Sequence, residues 1–139
     1  VSLGAGGQIV LRFSNNSLTG SGDAALDLWI FEIGPDVEDT FVDVSTYGTT
    51  WINAGKVFGA TSGIDIDAYG FGTPDFLSFI PLTDDIAEGA ASGTTVGAYI
   101  DAVGAISSAP PVNIPEPGSI ALVGLGLAAA AFLQRGKTA

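Results

Sequence analysis

Ahead of a proline-rich stretch that begins at Ala109, apolar residues recur at alternate positions in short runs, and no segment sustains a 3.6-residue apolar period. A period of two places successive side chains on opposite faces of an extended backbone, so this pattern predicts strands and not helices. Gln8 to Phe13 sets Ile9, Leu11 and Phe13 on one face, with Val10 and Arg12 on the other. Asp27 to Ile33 carries large apolar residues on both faces, which suits a central strand. Thr40 to Ser45 turns Val42 and Val44 inward, and Thr46 to Thr49 reads as a turn leading to a strand that carries Trp51. Gly63 to Ala68 points Ile64 and Ile66 one way and Asp65 and Asp67 the other. Phe76 to Leu82 and Ile100 to Ser107 complete the set. About seven short strands between Gly-rich turns predict an all-β fold, an antiparallel β-sandwich of jelly-roll kind.

The prolines then divide the chain. Residues 1–108 read as the sandwich domain, 109–118 as a proline-rich linker, and 119–139 as an apolar helix with a basic end. Proline removes a backbone donor and fixes φ, so the linker is expected to be extended and semi-rigid.

Charge narrows the function classes. The chain has 15 acidic and 4 basic residues, a net charge of −11. Of the basic residues only Arg12 and Lys56 precede the linker. Such a surface repels nucleic acid and anionic lipid, so a phosphate-binding role is not expected. There is no His and no Cys, which removes Ser-His-Asp and Cys-His nucleophile systems and the usual zinc ligands. Gly4-Ala5-Gly6-Gly7 precedes a strand and opens no helix, so it makes a poor phosphate cradle. Glu32 and Glu38 qualify for a glycosidase carboxylate pair only by residue type. The expectation is a protein that is not an enzyme.

Calcium remains compatible with this composition, because it takes six to eight oxygens from carboxylates and carbonyls. Asp23, Asp27, Glu32, Asp65, Asp67, Asp84, Asp85 and Asp101 are the available acids, set against a plain solvated surface. Ile66-Asp67-Ala68-Tyr69-Gly70 and Ile100-Asp101-Ala102-Val103-Gly104 repeat one pattern, Ile-Asp-Ala-x-Gly. Strands sharing it could set Asp67 beside Asp101, with Asp27, Glu32 or Asp84 close enough to share one ion. Of the aromatics, Trp29 is expected in the core. Trp51, after a turn, suits either the core or a sugar-stacking platform.

The end of the sequence has three parts in order. Pro115-Glu116-Pro117 is a short extended motif, Ile120 to Leu133 is a continuous apolar run, and Arg135 and Lys137 form a basic end. Ser119 can cap a helix over the apolar run. As a helix, residues 119–133 would reach about 22 Å against ~30 Å of hydrocarbon, short for a permanent anchor. Basic residues at the end would hold it on the cytoplasmic side.

This layout resembles the PEP-CTERM sorting signal, carried by Pro115-Glu116-Pro117, Leu125-Gly126-Leu127 and the basic end. The basic end is thinner than the family's usual arginine cluster. The resemblance implies export, a transient anchor in the inner membrane of a Gram-negative bacterium, processing by an exosortase-type protease, and release to the cell surface or medium. The body also resembles a domain of secreted bacterial proteins of this class, through Ser2 to Leu11, Phe31-Glu32-Ile33-Gly34, Trp51, Asp65 to Ala68 and Ile100 to Ile106, which implies an extracellular β-sandwich of the carbohydrate-binding or discoidin-like sort. Tyr47 and Tyr99 stand where that pattern commonly has Asp, which would weaken or delete a metal site. Together these features point to a surface or extracellular-matrix protein with a structural, adhesive or self-assembling body. The alternatives are a carbohydrate-binding module that takes polysaccharide and, behind it, a glycosidase.

Overall fold

In the computed structural model the described residues are 1–33, 37–71, 76–88 and 97–112. The expected helix over Ile120 to Leu133, the motif Pro115-Glu116-Pro117 and the end residues Arg135 and Lys137 lie outside them.

The regular structure of the described residues is nearly all strand, in antiparallel sheets, as the period-two pattern predicts. The strands are β1 (Gln8–Arg12), β2 (Ser17–Leu18), β3 (Leu28–Glu32), β4 (Thr40–Val44), β5 (Ile52–Val57), β6 (Thr61–Ile64), β7 (Phe79–Asp84), β8 (Ile100–Ala105) and β9 (Ser108–Ala109). Two short 3-10 turns, Asp67–Tyr69 and Ile86–Glu88, are the only helical elements among the described residues. One sheet has the order β1-β7-β4-β5, a second β6-β3-β8, and β2 pairs with β9. Only β4 and β5 form a hairpin within one of the larger sheets; the chain otherwise crosses between them.

Alternation decides what each strand buries. In β4 Thr40, Val42 and Val44 are buried and Phe41 is exposed. Val42 faces Leu82 of β7, which in turn faces Ile9 of β1, so three inward side chains form one row. Leu28 and Ile30 of β3, Ile64 of β6 and Ile100 of β8 belong to the same apolar cluster as Val42, Ile80 and Leu82. The two sheets thus share one core. Each large aliphatic side chain sealed there contributes roughly 1.5–3 kcal/mol against leaving it in water.

Two local features depart from a regular ladder. Pro81 lies in β7, a strand paired on both sides. It has no N–H to donate, and the β4–β7 ladder runs only from Thr40–Asp84 to Val42–Leu82 before resuming at the Ser45–Phe79 bridge. The β3–β8 register shifts between Phe31 and Glu32. Past that shift Glu32 is buried, and its carboxylate accepts from the backbone N–H of Tyr99 at 3.3 Å and of Glu38 at 3.1 Å.

Trp29 is not in the core. On β3 it alternates with the buried Leu28 and Ile30, so it faces outward, half-buried beside Gly63 and Leu26. Trp51 is 44% exposed and stands edge-on to Phe79, ring centres 6.3 Å apart. The body stays paired through Ala109, and Ser17 Oγ donates to the Pro110 carbonyl at 2.8 Å.

Candidate functional site

Three carboxylates converge at one place among the described residues. Asp27, Asp65 and Asp67 each bring an oxygen to within 4.8 Å of the other two. Three elements put them there. Asp27 immediately precedes β3, and its backbone N–H donates to the Ile64 carbonyl, which seats it against the end of β6. Asp65 and Asp67 follow β6 at a spacing of two, so they share a side while Ile64 and Ile66 enter the core. The chain then turns at Asp67–Tyr69 and is stopped by Gly70, whose φ of +86° favours glycine.

In each carboxylate one oxygen is held by a backbone donor. Asp27 Oδ2 accepts from Ile66 N at 3.1 Å, Asp65 Oδ1 from Asp67 N at 3.0 Å, and Asp67 Oδ2 from Gly22 N at 2.9 Å. Ser21 Oγ reaches Asp67 Oδ2 at 3.4 Å. Asp27 is completely buried, and its Oδ1 has no hydrogen-bond partner. Gly20 adds a close approach of backbone. A Cβ there would lie 2.4 Å from Asp67 Oδ1 and 2.4 Å from the Phe71 carbonyl oxygen, so those two oxygens border one small space.

The structure brings together only part of the set expected from sequence. Asp27 and Asp67 meet, with Asp65 as the third member. Asp101 does not join Asp67: it is exposed on β8, and β3 lies between β8 and β6. It lines a groove of about 330 Å³ between β1 and β8, together with Ile9, Leu11 and Arg12. Asp84 is buried at the end of β7, where Oδ2 accepts from Gly6 N and Oδ1 from Ala98 N, both at 2.7 Å. Glu32 serves the β3–β8 irregularity described above. These two acids are committed to backbone donors.

The two copies of Ile-Asp-Ala-x-Gly adopt different conformations. The first makes the 3-10 turn and the second is β8. Asp23 caps its own loop, accepting from Ala25 N at 2.8 Å. Asp85 is paired with Lys56 at 2.6 Å. Sequence reasoning did not single out Gly20, Gly22 or the Phe71 carbonyl. The available signal was Gly20-Ser21-Gly22, a stretch able to approach another backbone closely.

Among the described residues, neither basic side chain pairs with the three acids. Lys56 is held by Asp39 and Asp85, and Arg12 lies 5.6 Å over the Phe79 ring.

No curated protein and no solved structure matches the chain. Residues 113–135 match the family model described as the PEP-CTERM protein-sorting motif. The chain is therefore a protein carrying a PEP-CTERM sorting motif, which implies export, a transient membrane-associated tail, and processing by an exosortase, a membrane protease.

Proposed function

We propose that this is a bacterial cell-surface or extracellular-matrix protein whose β-sheet body is a non-enzymatic structural or adhesive cargo. The observation that carries the reading is the order along the chain: a body closed by the β2–β9 pair, then the prolines, then the sorting motif at 113–135. The body is paired as far as Ala109, and the motif follows it in the sequence. The non-enzymatic reading is supported by the lack of His and Cys and by the use of Glu32 and Asp84 as backbone acceptors. We read the body as a jelly-roll sandwich. That reading is supported by the sheet orders β1-β7-β4-β5 and β6-β3-β8, and by the Ser2–Tyr99 bridge, which extends the second sheet beyond β8.

The test is fractionation of a host that has an exosortase and expresses the full chain. The intact protein should be processed and recovered at the surface or in the medium. Replacing Pro115, Glu116 and Pro117 together by Ala should leave unprocessed chain in the inner membrane. Identical distribution of the two forms would overturn sorting by this motif. The cargo reading would fall if the purified protein hydrolysed a glycan substrate.

A further inference from the structure

We infer that Asp27, Asp65 and Asp67, together with the carbonyl oxygen of Phe71, bind one calcium ion. The ion ties the β2–β3 connection to the turn that follows β6. This assignment goes beyond sorting and does not depend on it.

The first ground is geometry. Two oxygens on opposite sides of a calcium ion, each at about 2.4 Å, are about 4.8 Å apart. The three carboxylate oxygens fall within that limit of one another. The Phe71 carbonyl and Asp67 Oδ1 both lie 2.4 Å from a single point above Gly20, so these two oxygens lie within the same limit of each other. Glycine at position 20 keeps that point free of side chain.

The second ground is the unsatisfied oxygen. Asp27 is wholly buried, its Oδ2 takes the Ile66 N–H, and Oδ1 has no partner. Burying a charged oxygen without a partner is expensive, and native proteins rarely accept it. A cation shared with Asp65 and Asp67 removes that penalty and relieves the repulsion among three carboxylates. Neither Arg12 nor Lys56 supplies the charge, because each is engaged elsewhere.

The third ground is donor chemistry. Every donor is oxygen, from carboxylates and one backbone carbonyl, which selects a hard cation. Ligands drawn from two loops and a short turn suit the adaptable shell of calcium better than the strict octahedron of magnesium. The remaining positions are left to water.

The experiment uses the full chain in mild detergent, stripped with a chelator and titrated with calcium chloride alone by calorimetry. One ion should bind per chain, with a dissociation constant of about 10⁻⁴–10⁻³ M, the range of extracellular modules. Saturating calcium should raise the melting temperature. Asp65→Asn and Asp67→Asn should each weaken binding by about tenfold or more, since each removes a charged ligand. Asp101→Asn should bind as the parent does. Asp27→Asn tests the buried ligand, and if that variant does not fold, the half-exposed Asp65 decides.

Absence of calcium uptake at about 10 mM, well above that range, would overturn the proposal. So would undiminished uptake by Asp65→Asn and Asp67→Asn, or an equal loss in Asp101→Asn, which would mark diffuse attraction to an acidic surface. Equal affinity for magnesium would overturn the assignment to calcium. Binding is read on the purified chain, so its failure and a failure of sorting are separate results.

Discussion

Lys56 Nζ donates to Asp85 Oδ2 across 2.6 Å, which ties β5 to the residue just past β7. The same ammonium lies 2.6 Å from Asp39 Oδ2, on the approach to β4, and within 5.0 Å and 5.4 Å of the Phe58 and Phe41 ring centres. The hydrogen bonds that Lys56 donates to Asp39 and Asp85 hold its ammonium well above its ordinary value of 10.5. The Lys56 bond, helped by the Ala87 N–H, holds the Asp85 carboxyl below its ordinary 3.8.

These opposite shifts define a pH window. Asp85 is depressed on folding, so its contribution is complete above its ordinary value and is lost as pH falls through the lower, folded one. Lys56 is raised, so its contribution is complete below 10.5 and is lost as pH rises through the higher, folded value. Lys56→Met should therefore lower the melting temperature by a constant amount from about pH 5 to 9. The gap to the parent should shrink below about pH 4. Thermal melts of both proteins across pH check this; a gap that does not shrink as the pH falls would mean that lost packing, not charge, sets the effect.

Leu82 tests the shared core. It is fully buried in β7, with Ile9 and Val42 as its cross-strand neighbours. Leu82→Ala should cost about 2–5 kcal/mol in urea denaturation, the sum of lost transfer energy and the cavity left behind. Ile106→Thr, on a side chain 69% exposed, should change stability by less than about 0.5 kcal/mol.

Much of this fold was legible in the sequence because burial on one face leaves a period-two imprint. Ile9 and Leu11, Val42 and Val44, and Ile64 and Ile66 all turn inward as their spacing predicts. The apolar residues on both faces of β3 match its place between β6 and β8. That same two-sidedness hid which way Trp29 points, since neither face of the strand is marked polar. The strands β2 and β9 have two residues each, too few for any period.

The repeated pentamer misled for a different reason. Tyr69 and Gly70 allow a turn with a left-handed glycine, whereas Val103 in the second copy is β-branched and favours the strand. The spacing of Asp65 and Asp67 was visible in the sequence. Their meeting with Asp27 depends on β3 pairing with β6, which no local pattern encodes.

Gly20 is a place where a single methyl group should be felt. Its Cβ would lie 2.4 Å from both Asp67 Oδ1 and a backbone oxygen, and a carbonyl cannot swing aside as a flexible side chain can. Gly20→Ala should therefore destabilise the fold by about 1–3 kcal/mol, the usual range for overpacking. Chemical denaturation measures it. Gly22→Asn serves as the control, because the space around Gly22 is open and asparagine tolerates its positive φ. A loss at position 22 as large as that at position 20 would show that loop conformation, not the approach of Asp67 and Phe71, is the constraint.

Asp84 makes the sharpest structural prediction, because one side chain joins two segments far apart in sequence. Its two oxygens accept from Gly6 N and Ala98 N at 2.7 Å, and its own N–H donates to the Gly7 carbonyl at 3.0 Å. Next to it the Val1–Leu3 segment pairs with the start of β8, through Leu3 N to Ala98 O at 2.9 Å and Ile100 N to Val1 O at 2.8 Å. Asp84→Ala deletes both acceptors; the Ala98 N–H is left in a buried space, while exposed Gly6 can turn its N–H to water. A buried unsatisfied donor costs about 1–3 kcal/mol, so the loss should be about that size. The loss should also be local. Hydrogen exchange should accelerate at Gly6, Ala98, Leu3 and Ile100, while amides of the β4–β5 hairpin keep the protection set by global stability. Uniform acceleration at all of these sites would show that Asp84 supports the whole fold and not this corner alone.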